Sequence, residues 1–204
     1  MEKSEKLQQL AKQIKVCRRC DLYKNANQAV PGEGNPQSSI VFVGEAPGFN
    51  ENIQGRPFVG AAGKHLDKLF EKVGLERNSV FITNIVKHRP PENRDPTFKE
   101  IAACTFWLDE HLKILQPKVI VTLGRLSLNY FLPGTKISAV HGHPYRVRNY
   151  VVLPMYHPAA ALRRMQMAME LDNDFQKNRD LLTNPTIGEK IAEIYQSGGQ
   201  ASLF

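Results

Sequence analysis

Several things are scarce or missing in this chain, and each narrows what it can be. Only three cysteines occur in 204 residues. An odd number cannot all pair, which argues against a disulfide framework and makes Cys17, Cys20 and Cys104 better candidates for metal or cluster ligands. No stretch approaches the roughly 20 continuous apolar residues of a membrane span, and the start, MEKSEKLQQLAKQIK, lacks the apolar centre of a secretion signal. The expectation is a cytoplasmic protein with no membrane partner. Neither a phosphate-loop Lys-Ser/Thr nor a GxGxxG pattern is present, so the common nucleotide-binding α/β classes lose their main signal. There is no internal repeat, and apart from a Pro-rich loop at 89–96 no low-complexity block.

Acidic residues are also in deficit, 20 against 27 Lys plus Arg, giving a net charge of +7. That surplus attracts polyanions, and nucleic acid is the leading partner class. Apolar residues make up 42% of the chain, enough to bury a core. Leu7, Leu10, Ala11 and Ile14 recur at helical spacing and lead into Cys17-Arg18-Arg19-Cys20. Four apolar runs then read as strands: 40–43 (IVFV), 79–86 (SVFITNIV), 119–123 (VIVTL) and 150–155 (YVVLPM). Helical patterns at 63–73 and 97–115 lie between them. This alternation predicts an α/β, three-layer fold with a central four-stranded, mainly parallel sheet flanked by helices. Residues 1–183 are expected to form one domain, and residues 184–204 a tail.

The unusual residues fall after the strands: Gly44-Glu45-Ala46-Pro47-Gly48, Thr83-Asn84, Gly124-Arg125 and His157-Pro158. In open α/β sheets, ligands bind outside the carboxyl ends of the strands. The run QGRPFVGAAG at 54–63 adds glycines that let a backbone approach a ligand closely and, in Phe58, a flat apolar face. The Asn84 amide both donates and accepts, which matches the adjacent carbonyl and N–H of a pyrimidine edge.

GEAPG, GRPFVGAAG, TNIVK and HPAAALR in that order, with CRRC near the N-terminus, closely resemble the family 4 uracil-DNA glycosylases, the iron-sulfur type of bacteria and archaea. The resemblance covers roughly residues 17–180. It implies that Phe58 stacks on an everted uracil in a pocket that includes Gly44 and Ala46. Asn84 reads the Watson-Crick edge, and His157 stabilises the departing base as the glycosidic bond breaks. Glu45 is the candidate to orient the attacking water or offset the cationic sugar; its alternative is a turn-capping carboxylate. Related glycosylases place a carboxylate one position later, where this chain has Ala46. Lys87, Arg89, Arg94, Arg163 and Arg164 are the expected phosphate contacts, though each also reads as a solvated surface charge. Leu162 is a wedge candidate for the gap left by the base, with a core leucine as the alternative.

The same resemblance implies a 4Fe-4S cluster held by four cysteines, of which this chain matches Cys17, Cys20 and Cys104. At the fourth position, in KHRP, it has His88. A Cys3His set holds zinc or a cluster; the resemblance favours a cluster with a structural role. Asn52 also departs from the family, where Asp is usual after Glu51, and a weaker water network is expected there. Some relatives with His at the cluster position trap the abasic sugar covalently, but they carry an inserted basic loop with a nucleophilic His. Here RPPENRDPTFKEIAAC follows His88, and His141 and His143 lie in HGHP before the last strand. Turnover on single- or double-stranded uracil-containing DNA by a monomer is therefore expected, with a non-catalytic DNA-binding module as the other alternative. The last five residues, Gln200-Ala201-Ser202-Leu203-Phe204, resemble peptides that dock on the bacterial sliding clamp.

Overall fold

The computed structural model describes residues 2–188. The chain begins with helix α1 (Lys3–Lys15), whose Leu7, Leu10 and Ile14 face inward. It continues through β1 (Glu33–Gly34), β2 (Ile40–Gly44), α2 (Phe49–Gln54) and α3 (Ala61–Val73) to β3 (Phe81–Asn84). Next come α4 (Phe98–Leu115), β4 (Val119–Leu123), α5 (Arg125–Phe131) and α6 (Ile137–Val140). β5 (Tyr145–Val147), β6 (Tyr150–Met155), α7 (Pro158–Ala161), α8 (Met165–Lys177) and α9 (Arg179–Thr183) complete it.

The strands form one sheet in the order β1-β3-β2-β4-β6-β5. The central four are parallel, as the alternation of elements predicts, with Val41 opposite both Phe81 and Ile120, and Ile120 opposite Val152. Two short antiparallel edge strands, β1 on β3 and β5 on β6, widen the expected four strands to six. They escape sequence reading because Glu33-Gly34 and Tyr145–Val147 are too short and too polar to show a strand period.

Alternate residues of the parallel strands feed two cores, which is why these strands read as continuous apolar runs. Ile40, Phe42, Val119, Val121 and Leu153 pack with Leu66, Leu69 and Phe70 of α3 and with Leu171 and Phe175 of α8. Val41, Val43, Ile120 and Val152 face the other way, toward α1, Trp107, Leu108 and Leu112 of α4, and Phe131 of α5. Burying a Leu or Phe side chain in either core stabilises the fold by about 1.5–3 kcal/mol. Helix α4 starts at a capping box in which Thr97 Oγ1 accepts from Glu100 N and Glu100 accepts from Thr97 N.

The third strand is shorter than the 79–86 run. After Asn84 the chain leaves the strand, yet Ile85 N–H still bonds Gly44 O and Val86 N–H bonds Glu45 O, so the pairing of the two segments continues into the loops. At the other end, the packed body runs past the expected boundary at 183, since Gly188 is buried against Val151 and Leu181. Among the described residues, no helix is long and apolar enough to cross a membrane.

Candidate active site

Because the parallel strands all end on one edge, the residues that follow them share a cleft. Gly44 ends β2 and Asn84 ends β3 in register with it. A Cβ at Gly44 would collide with Asn84 Oδ1 and lie 2.6 Å from Phe58 Cζ. Gly44 is thus required by close approach, and the absent side chain lets the Asn84 amide and the Phe58 ring converge. The Phe58 ring in turn stacks on the His157 imidazole, with centroids 5.6 Å apart and planes inclined by 27°. Phe58 is held at φ 52°, in the left-handed region that a bulky residue rarely adopts. Gly63 allows this, since any Cβ there would strike the Phe58 carbonyl.

Asn84 is 2% exposed, and its Oδ1 has no hydrogen-bond partner. An orphaned buried acceptor costs roughly 1–3 kcal/mol and is uncommon in folded proteins. Beside an aromatic ring, such an acceptor is able to take an N–H from a ligand. His157 caps α7, with Nδ1 accepting from Ala159 N–H at 3.1 Å. Burial pulls its pKa down to about 4, opposed by the nearby Glu51 carboxylate. The ring is therefore neutral at pH 7, and with Nδ1 engaged as an acceptor its proton sits on Nε2.

Glu45 follows Gly44 and is held at the start of α5, where its Oε1 accepts from Leu126 N–H at 3.0 Å. This is the capping geometry weighed above, but the carboxylate also belongs to the cleft. A Cβ at Gly124 (φ 99°) would lie 2.9 Å from Glu45 Cδ and 3.2 Å from His157 Cβ. Burial raises the Glu45 pKa, while the Leu126 amide and the Arg125 charge oppose the shift. Arg125 is paired at the surface with Asp95.

Glu51, not singled out from sequence as functional, ties the two ligand loops together. Its Oε1 accepts from Val59 N–H and Gly60 N–H, both at 2.8 Å, and its Oε2 from Gly48 N–H at 3.1 Å. The Gly48 and Gly60 amides are thereby engaged internally. The Gly-x-x-Glu spacing at the start of α2 was the available signal, since a Glu at the third helical position reaches back to the N-cap amide. At Asn52 the structure shows a two-way hydrogen-bonded pair with Asn27. Asn27 N–H donates to Asn52 Oδ1 at 2.8 Å and Asn52 Nδ2 donates to Asn27 Oδ1 at 3.0 Å.

The basic residues divide. Lys87, expected at the rim, is fully buried. Its Nζ donates to Thr83 Oγ1 at 2.7 Å and to Asn84 O at 2.8 Å, so it makes no phosphate contact. Its four-carbon stem folds back over the end of β3, and burial lowers its pKa to about 8. Arg94 forms a two-pronged pair with Glu100, and Arg89 donates to Asn93 Oδ1 while lying 5.3 Å from the centre of the exposed Phe49 ring. Arg163 and Arg164 are exposed. Leu162 is 53% exposed, which places it outside the core.

The cysteines lie on the other core face. Cys17 and Cys20 pack against the α1–α4 cluster, which includes the buried Cys104. The three are within electrostatic reach of one another. Each sulfur accepts an N–H: Cys17 from Trp107 Nε1 at 3.1 Å, Cys104 from Lys87 N at 3.2 Å, and Cys20 from the Leu22 backbone. Such donors tune and orient ligand thiolates. Burial pushes the Cys104 thiol up to about 11 and holds the buried His88 below its ordinary value, so the imidazole is in the neutral form a ligand needs. Among the described residues, no three His, Cys, Asp or Glu side chains are grouped for a single metal ion.

Comparison with known proteins is consistent with this layout. Residues 31–182 match the uracil DNA glycosylase superfamily. The chain is 46% identical to a type-4 uracil-DNA glycosylase of Sulfurisphaera tokodaii over 89% of its own length and 87% of that protein. It is 45% identical to a type-4 uracil-DNA glycosylase of Archaeoglobus fulgidus, covering 87% of this chain and 94% of the relative. A type-4 enzyme of Thermotoga maritima is 43% identical over 79% of this chain and 85% of its own.

Proposed function

The chain belongs to the uracil DNA glycosylase superfamily, and from that premise we infer that it hydrolyses the N-glycosidic bond of uracil in DNA, leaving an abasic site for base-excision repair. The observation that carries the reading is the pocket around Gly44, where Phe58 and His157 meet an Asn84 amide whose Oδ1 is buried and unpartnered.

In this reading an everted uracil lies with its ring on Phe58. Asn84 Oδ1 accepts from uracil N3–H and Nδ2 donates to O4. Cytosine presents an acceptor at N3 and an amino group at position 4, so both contacts become mismatched, each costing on the order of 1–3 kcal/mol. Everting the base costs a few kcal/mol more, least for single-stranded or mispaired uracil. As the C1′–N1 bond breaks, its electron pair moves onto uracil N1 and O2. The neutral His157 donates from Nε2 to that developing anion, an interaction stronger in the transition state than in the ground state. Water adds to C1′ of the oxocarbenium-like sugar, and the proton it sheds ends on the uracil. Glu45, one residue from Gly44 and beside His157, orients that water or offsets the sugar's charge. Leu162 fills the vacated space in the duplex, while Arg89, Arg163 and Arg164 hold phosphates.

The sulfur set fits an iron-sulfur cluster, because the half-buried Cys17 and Cys20 pack in the same cluster as the buried Cys104, each sulfur accepts an N–H, and His88 directly follows Lys87, whose N–H bonds Cys104. Cys17, Cys20, Cys104 and His88 would hold it. When bound it supplies a covalent staple between the segment after α1, the loop after β3, and α4. The peptide 200–204 lies outside the described residues; its QASLF sequence supports docking to a sliding clamp. One pocket serves one everted nucleotide, which supports a monomer.

The test is release of uracil from single- and double-stranded oligonucleotides, with Asn84→Ala and His157→Ala as controls. A parent protein that leaves uracil in both substrates overturns the reading.

A further inference from the structure

A lysine beneath the cleft takes no part in the steps above. Lys87 has no solvent exposure, although an ammonium in a dry site is unfavourable unless it is hydrogen-bonded. A methionine would fill the same volume without that penalty. The ammonium bonds Asn84 O and Thr83 Oγ1, the last two residues of β3, and Thr83 Oγ1 passes the contact on to Pro31 O at 2.8 Å. Meanwhile the peptide N–H of the same lysine bonds Cys104 Sγ. One residue thus joins the backbone of the base-reading asparagine to a sulfur of the cysteine site.

We propose that Lys87 is a positioning residue whose ammonium fixes the Asn84 backbone, and through it the angle at which the Asn84 amide meets the uracil edge, with Cys104 as the anchor. The proposal rests on the uracil-excision reading and deepens it. Selectivity for the base then depends on a charge that never touches the base, and a disturbance at the cysteine site reaches base reading through a single residue. The arginines assigned to phosphate are not partners of the ammonium: Arg89 bonds Asn93, and Arg163 and Arg164 lie exposed beyond α7.

The full-length protein carrying Lys87→Met or Lys87→Gln tests this. Three quantities are read: inhibition by free uracil, affinity for DNA containing a tetrahydrofuran abasic analogue, and iron per chain. Lys87→Met keeps the peptide N–H on Cys104, so iron content is expected to match the parent. Affinity for abasic DNA stays within twofold, while affinity for free uracil falls at least tenfold. Lys87→Gln, still able to donate to Asn84 O, recovers most of the lost uracil affinity. A uracil affinity within twofold of the parent in Lys87→Met, or a parallel loss of abasic-DNA affinity, overturns the proposal. A measurement on the parent needs no folded Met variant: the 15N resonance of the Lys87 ammonium, assigned by its loss in Lys87→Gln, shifts when free uracil binds. No shift at saturating uracil equally overturns it. If the parent excises uracil and these results fail, only the role of Lys87 is lost; if the parent does not excise uracil, the reading beneath it is lost.

Discussion

Replacing Asn84 with alanine separates what the pocket does for the fold from what it does for the ligand. The Asn84 side chain is 2% exposed and its Oδ1 is unpartnered, so in the free protein this group is a liability of roughly 1–3 kcal/mol. Alanine removes the orphan and leaves a small void between the Gly44 backbone and the Phe58 ring. The void costs on the order of 1–2 kcal/mol, because only three heavy atoms are lost. These two effects oppose each other, and the expected change in unfolding free energy is within about 1 kcal/mol of zero. Binding behaves differently. Two hydrogen bonds to the base edge are lost, each worth about 1–3 kcal/mol, and a tenfold change corresponds to about 1.4 kcal/mol. Free-uracil affinity should therefore fall by about 30-fold or more, and the single-turnover rate of excision with it. Thermal or urea unfolding, paired with inhibition by free uracil, reads both quantities on the same preparation. A variant destabilised by more than about 3 kcal/mol, or one that binds uracil as well as the parent, would show that Asn84 is a structural residue and that its buried oxygen is not reserved for a base.

Three further outcomes follow from the same geometry. His157 is held neutral with a pKa near 4 against an ordinary 6.5, so the unfolded chain takes up a proton as pH falls through 6.5 while the folded protein does not. Stability fully present above pH 6.5 is lost progressively toward pH 4, by about 2–3 kcal/mol at pH 4.5. His157→Asn, which retains an N-cap acceptor for Ala159, should lose less stability between pH 7 and 4.5 in urea titrations; an identical pH slope would refute the buried neutral imidazole. Glu51→Gln leaves one oxygen to serve three N–H donors, so it should cost about 1–3 kcal/mol and lower the excision rate more than the affinity for abasic DNA. Equal stability by calorimetry would mean that Glu51 does not hold the Phe58 loop. With a cluster held by Cys17, Cys20, Cys104 and His88 as proposed, His88→Cys would exchange a neutral ligand for a thiolate and lower the reduction potential at unchanged iron content; an unmoved potential in a redox titration would remove His88 from the ligand set.

The ends of the strands were where sequence and structure agreed best. Gly44, Asn84, Gly124 and His157 each follow an apolar run, and any parallel sheet must bring such positions to one edge, whatever its order. The apolar runs carried this because all their residues except Ser79 and Tyr150 are buried on one face or the other, leaving little ambiguity about strand or helix. Glu51 and Lys87 were not legible in the same way. Both sit in segments whose composition suggests a polar surface, and their roles depend on where a long side chain is able to reach. Glu51 reaches back to Gly48 and across to Val59 and Gly60. Lys87 doubles back over its own strand.

Sequence by itself determined the layered α/β architecture, the side of the sheet on which chemistry is placed, and the residue types that meet there, since these follow from local patterning and the geometry of parallel strands. Tertiary structure alone decided which polar groups face a partner and which are left without one. Gly44 and Phe58 stand against the Asn84 oxygen from 40 and 26 residues away, and the desolvation that keeps His157 neutral and buries Lys87 depends on packing through space that linear order does not encode.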